Sequence, residues 1–143
     1  MSFKRIFLNL LCIFMILILF YPTMAQMKKV HKFKRVEVPF SMKHEDSIFE
    51  KGQYDFEIIA HRTLRTFHLR IIKKGKILCI VPGEILRDKP PGARGEEMKE
   101  VPEDPTLKIK KIPAEKIVNF IFEAGKLTHL YPCFKVRFQM EYD

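Results

Sequence analysis

Basic side chains are concentrated in one short stretch of the chain, "HRTLRTFHLR" (61–70). Guanidinium groups hold carboxylates and phosphates through paired hydrogen bonds, so Arg65, His68 and Arg70 form a candidate anion-binding stripe. On a β-strand, however, His68 and Arg70 would share one face, which is also the pattern of an amphipathic strand with one side in water. The solvated face of a strand is the favoured interpretation, and anion binding by these three residues is the alternative.

Patterns for metal binding and nucleophilic catalysis are weaker. His129 and Cys133 are four residues apart, with Cys79 as a third ligand if the fold brings it near, but no paired-ligand motif of a zinc site occurs. Ser41 and Ser47 are the only serines after residue 25, and neither lies in a nucleophile-elbow sequence. We therefore predict no metal and no cofactor, and the sequence favours a protein that is not an enzyme.

Acidic residues cluster in segment 96–104, which contains Glu96, Glu97, Glu100, Glu103 and Asp104. Two carboxyl groups can act together in hydrolysis when the fold brings them to the right separation. A hydrolase acting on cell-envelope material is therefore the alternative function. The simpler interpretation is that these carboxylates are solvated in a loop.

Residues 1–25 predict a secretory signal peptide. Lys4 and Arg5 precede an apolar run, Pro22 stops a helix, and Ala25 is a small residue that suits a signal peptidase. A membrane-spanning helix needs about 20 apolar residues, and this run is shorter. We expect cleavage after Ala25 and an exported protein, periplasmic or extracellular. The alternative is an uncleaved anchor, which would be the only link of the protein to a membrane.

Removal of the signal peptide would leave residues 26–143 as a single domain. Residues 1–25 contain two basic residues and no acidic residue, so their removal lowers the net charge from +9 to +7. This basic balance favours contact with anionic envelope polymers or headgroups. No recognition-helix or stacking pattern indicates nucleic acid. An envelope protein, an anionic polymer and a small apolar ligand are the expected partner classes.

Two cysteines, Cys79 and Cys133, lie outside the signal segment. In an oxidising compartment an even pair of cysteines predicts one disulfide. Two buried free thiols are the alternative, because cysteine is among the most buried residue types. Both possibilities stay open at the level of sequence.

Alternation of apolar and polar residues is the dominant signal along the chain. It predicts strands over 35–40, 53–59, 66–72 and 134–142, each with one buried and one solvated face. The fold class is therefore mainly β, a small antiparallel sandwich or barrel of about seven or eight strands. A barrel of about eight strands can hold one small ligand.

A hairpin is predicted at "IIKKGKILCIVP" (71–82), where Gly75 supplies the positive φ of a tight turn. A three-residue loop, 73–75, would set Ile71 opposite Ile77 and Leu69 opposite Cys79. This register brings apolar faces together. "ILCIV" is apolar on both sides and predicts a central, covered strand.

Three further segments complete the chain. Residues 82–105 predict one long loop, because their density of Pro and Gly opposes a strand. Segment 113–126 is interpreted as a strand rather than a helix that starts at Pro113, because β-branched and aromatic residues dominate it. "TLKIKKI" (106–112) is a candidate edge strand for strand addition, although edge lysines also serve to block such pairing.

Residues 36–59 resemble the start of small exported bacterial β-domain proteins of unknown function. That group carries "VPFxF" followed by "LPAGxYxV"; here the "VPF" of 38–40, Gly52 and Tyr54 match. Lys51 stands where the group has Ala. The resemblance implies a compact, exported β domain and implies no activity.

Taken with the absence of a catalytic pattern, these features predict a non-catalytic exported β domain that binds an envelope partner or a small ligand. The alternatives are the hydrolase and a structural protein that pairs its edge strands with a larger assembly.

Overall fold

The computed structural model describes residues 2–20, 27–61, 65–88, 101–126, 131 and 133–143. Within these ranges the chain forms helix α1 (Phe3–Phe20), nine β-strands and a 3₁₀ turn (Pro113–Glu115). The strands are β1 (Met27–Val38), β2 (Met42–His44), β3 (Ser47–Phe49), β4 (Gly52–His61), β5 (Thr66–Lys73), β6 (Lys76–Arg87), β7 (Thr106–Ile112), β8 (Ile117–Glu123) and β9 (Lys135–Tyr142).

Helix α1 covers most of the predicted signal peptide, whose residues 21–25 lie outside the described ranges. Its described side chains, up to Ile16, are exposed, including Phe3, Phe7 and Phe14. Among the described residues, no helix combines the length and the apolar character needed to cross a membrane.

The strands form one antiparallel sheet, which curls into a half-barrel. Its main path runs β1-β4-β5-β6-β9-β8-β7, and the β2–β3 hairpin pairs with the end of β9 at Tyr142. The predicted fold class, a small antiparallel β domain, is confirmed. Two of the nine strands, β2 and β3, are only three residues long.

Strand β6 changes partner half-way along its length. It pairs with β5 as far as Pro82 and with β9 from Gly83 onward. Pro82 lacks an N–H group, but it stands at the change of partner, where a ladder hydrogen bond is least needed. A Cβ on Gly83 would lie 2.6 Å from the Phe138 ring, so glycine makes room for that ring. The predicted loop over 82–105 is therefore wrong for 82–87, and residues 89–100 lie outside the described ranges.

The β5–β6 hairpin forms where it was predicted, but with a different register. Lys73 pairs with Lys76 across a two-residue turn, and Ile71 lies opposite Cys79 instead of Ile77. A register shift between Ile71 and Ile72 leaves Leu78 as an extra residue between the paired Ile77 and Cys79. The prediction failed because the extra residue lies in the strand and not in the turn.

The concave side of the sheet is filled with large apolar side chains. Phe56 of β4 packs against Phe120 of β8 with ring centroids 5.1 Å apart, and Phe33 of β1 lies 6.1 Å from Phe122 of β8. The alternation predicted for β9 is confirmed, because Val136, Phe138 and Met140 are buried and Tyr142 packs partly buried against the same core. One continuous core thus joins the two ends of the curled sheet.

The ambiguous segment 113–126 contains both a short turn and a strand. Pro113 opens the 3₁₀ turn, and Lys116 ends it in the left-handed region at φ 53°. The strand preferred from sequence then follows as β8. β7 and β8 form a regular hairpin around this turn, from Thr106 opposite Glu123 to Ile112 opposite Ile117.

Candidate functional site

Both arginines of the predicted anion-binding stripe are already paired with carboxylates. Arg65 forms an ion pair with Asp88 (2.9 Å) and Arg70 forms one with Glu57 (3.1 Å), so each guanidinium already holds a carboxylate. His68 shares the convex face with Arg70, and burial lowers its pKa, which favours the neutral imidazole. The stripe therefore offers little free positive charge to an anion.

Cys79 and Cys133 are both free thiols, so the disulfide offered as one of two alternatives does not form. Cys79 lies opposite Ile71, whereas the strand that follows Cys133 meets β6 at Arg87. The eight residue steps from Cys79 to Arg87 span roughly 26 Å of extended chain, far beyond the reach of a disulfide. Burial raises the pKa of the Cys79 thiol to about 11, which makes it a poor nucleophile at neutral pH.

The acidic segment does not present converging carboxylates in the part of the chain that the structure describes. Glu96, Glu97 and Glu100 fall outside it, and the exposed Glu103 pairs with Lys126 at 3.1 Å. His129, which was considered as a candidate metal ligand, also lies outside it. Among the described residues no group of three or more His, Cys, Asp or Glu side chains is placed to hold a metal ion.

Among the described strands, the main path ends at β1 and at β7, and these two edges differ in regularity. The pairing of β1 with β4 shifts register between Lys29 and His31 and again between Phe33 and Val36. In the second shift, Arg35 adopts a positive φ of 54°, and its N–H donates to Asp55 Oδ1 (2.9 Å) instead of to a strand. Bulges of this kind interrupt the row of backbone groups that an added strand would use.

β7, in contrast, is a regular edge. All seven of its residues pair with β8 without a register shift, and within the described ranges β8 is its only partner strand. The opposite side of β7 therefore presents backbone N–H and C=O groups that make no ladder. Such an edge is a template for the strand of another chain.

The side chains of β7 divide cleanly between the two faces of the sheet. Leu107 and Ile109 point to the concave side, opposite Phe122 and Phe120, but they are only partly buried. Lys108 and Lys110 are exposed on the convex side. None of the ion pairs among the described residues involves either lysine.

The C-terminal end of β7 is held in place by a further lysine. Lys111 Nζ lies 4.6 Å from the centroid of the Tyr142 ring and 4.9 Å from that of Phe40. Cation–π contacts of this kind fix the side chain without consuming a backbone group of the edge. These contacts anchor the end of β7, and within the described ranges no strand pairs with its outer side.

Sequence alone identified the lysine-rich segment 106–112 as an edge strand, and the structure places it there. The bulges that make β1 a poorer edge carried no recognisable signal, because they arise from pairing with β4. No family model, curated protein or solved structure matches this chain.

Proposed function

We propose that this protein is an exported, non-catalytic β domain that binds an extended segment of an envelope protein by strand addition along β7. The regular, one-sided pairing of β7 carries the proposal, because a bulge-free open edge seven residues long is what an added strand requires. Export is supported by the signal-like residues 1–25 and by the resemblance of residues 36–59.

The chemistry of the two faces defines the partner segment. On the concave side, an added strand would cover the partly buried Leu107 and Ile109, which favours apolar residues at every second position. On the convex side it would meet Lys108 and Lys110, which favours acidic residues at the positions between. The partner is therefore an extended segment in which acidic and apolar residues alternate.

A second copy of the same chain is a poor occupant of this edge. Antiparallel pairing of two β7 strands would bring the lysines of both copies together on one face, and like charges directly opposite each other are destabilising. Self-association through β7 is thus disfavoured by charge. An acidic segment from another protein removes this repulsion.

The other functions predicted from sequence have less support. A small apolar ligand would need interior space, but the concave side is occupied by packed phenylalanine rings such as Phe56 and Phe120. A hydrolase would need converging acids, but Glu103 is engaged by Lys126 at an exposed position. Neither observation favours a second candidate over strand addition.

The proposal is tested with a seven-residue peptide that alternates glutamate with valine, titrated into the isotopically labelled protein and followed by the backbone amide signals. We expect saturable shifts concentrated in β7 and β8. The double variant K108E/K110E should weaken binding about tenfold or more, because two favourable cross-strand charge pairs become repulsive.

The matched control is K28E/K29E, which reverses two exposed lysines on the bulged edge β1 and should leave peptide affinity unchanged. A second peptide, with lysine in place of glutamate, should not bind. Shifts that map to β1, or equal loss of affinity in both double variants, would contradict strand addition at β7.

A further inference from the structure

The tight turn between β5 and β6 concentrates positive charge. Lys73, Lys74 and Lys76 surround Gly75, and Lys73 lies directly opposite Lys76 in the ladder. Like charges at directly opposed positions destabilise a sheet. Lys73 relieves part of this repulsion by placing its Nζ 4.9 Å from the centroid of the Tyr54 ring, but Lys74 is exposed.

The turn and the second bulge of β1 line the same surface pocket, which has a volume of about 300 Å³. Arg35 and Lys74 both line this pocket, together with the buried Ile72. Both cationic residues have a positive φ, 54° for Arg35 and 51° for Lys74, which is uncommon for residues with a side chain. The irregular backbone thus brings two cations to one concavity.

The pocket also contains a carboxylate, Asp55, but its charge is already engaged. Its Oδ1 accepts the N–H of Arg35 at 2.9 Å, and its Oδ2 lies 3.8 Å from Lys32 Nζ. Across the described ranges, no carboxylate lies within ion-pair distance of the Arg35 guanidinium or the Lys74 ammonium. The pocket therefore keeps a net positive charge that nothing described neutralises.

We infer that this pocket binds a phosphate group, held by Arg35 and Lys74. A guanidinium can hold two phosphate oxygens through parallel hydrogen bonds, and an ammonium adds a compact point charge beside it. A bound anion would also offset the repulsion among the turn lysines. The described residues that line the pocket belong to β1, β4 and the β5–β6 hairpin and none to β7, so the inference does not depend on strand addition.

The first experiment titrates inorganic phosphate into the protein as recovered from producing cells, at constant ionic strength and pH. We expect saturable shifts of the Arg35, Lys74 and Gly75 amide signals. R35Q/K74Q should weaken binding about tenfold or more, since two charge-assisted contacts are lost. D55N should tighten binding, because it removes the negative charge from the pocket while its amide oxygen still accepts the Arg35 N–H.

The matched control is K28Q/K29Q, which removes the same number of charges from the exposed part of β1 and should leave phosphate affinity unchanged. Equal shifts with acetate, or the same loss of affinity in K28Q/K29Q, would overturn the inference, since they would indicate general charge screening. Absence of saturable shifts at the turn would overturn it as well.

A second arm identifies the source of the phosphate group. Vesicles of phosphatidylcholine with and without anionic phosphatidylglycerol are sedimented with the protein and with R35Q/K74Q. A lipid headgroup is the ligand if binding to the anionic vesicles falls in the variant. A soluble phosphate compound is the ligand if inorganic phosphate binds while vesicle binding is the same for both proteins.

Discussion

Phe56 of β4 and Phe120 of β8 pack with ring centroids 5.1 Å apart, although β5, β6 and β9 lie between their strands in the sheet. Both side chains are fully buried. The contact therefore shows that the sheet is curled, because two strands separated by three others in the sheet can meet only across its concave side. The core depends on contacts of this kind across the concave side.

Replacement of Phe120 by Ala should lower the free energy of unfolding by about 3–5 kcal/mol, the usual cost of removing a buried aromatic ring. Urea unfolding followed by circular dichroism measures this change. The control is Ile121→Ala, on the same strand but on the convex face and only partly buried, which should cost less than half as much. Similar losses in the two variants would contradict the assignment of the concave face as the core.

The ion pairs of the two predicted anion-site arginines should differ in strength. Glu57 is 8% exposed and pairs with Arg70, so Arg70→Ala leaves a largely buried carboxylate and should cost about 2 kcal/mol. The Arg65–Asp88 pair is more exposed, and Arg65→Ala should cost less than about 1 kcal/mol. Parallel urea titrations provide the comparison, and a larger loss in Arg65→Ala would contradict the structure.

Stability should fall as the solution is acidified through the histidine range. Burial lowers the pKa of His68, and burial together with Lys29 lowers that of His31, both from 6.5. Just below pH 6.5 the unfolded chain therefore binds more protons than the folded one. The free energy of unfolding keeps its full value above that pH and decreases as the pH falls below it. Thermal unfolding between neutral and mildly acidic pH tests this, and the double variant His31→Asn with His68→Gln should flatten the dependence.

The β5–β6 turn should be stabilised by Lys74→Asn. Lys74 and Gly75 both have positive φ, as in the turn type for which Asn-Gly is the preferred sequence. The variant also removes one of three clustered lysines, and we expect a gain of about 0.5–1 kcal/mol in the free energy of unfolding. Lys76→Asn, which removes the same charge at a regular strand position, serves as the control. A loss of stability in Lys74→Asn would contradict the turn geometry.

Sequence predicted the elements whose signal is local. The alternation in β5 and β9 is readable because one face of each strand is buried and the other meets water. The predicted strand ended too early at β6, because Pro82 and Gly83 usually end a strand. In the structure Pro82 stands where β6 changes partner, and Gly83 makes room for Phe138. That compensation comes from β9, more than fifty residues away in the chain.

The candidate sites show the same difference between features with a local sequence signal and features that depend on strand pairing. The lysine-rich edge was visible in "TLKIKKI", since an edge strand can carry exposed lysines along its length. The pairing of Arg70 with Glu57 was not visible, because it depends on the register between β4 and β5. The pocket at Arg35 was not visible either, since it arises from a bulge that only the pairing with β4 reveals.

β9 is the central link of the sheet, although it is the last of the described strands along the chain. On one side it meets β6 and thereby β5, β4 and β1, and on the other it meets β8 and β7. The two halves of the sheet therefore cannot join until residues 135–142 have left the ribosome. Folding that waits for such distant contacts is slow. A slow-folding polypeptide stays unfolded long enough to be threaded through a translocation channel, as the proposed export requires.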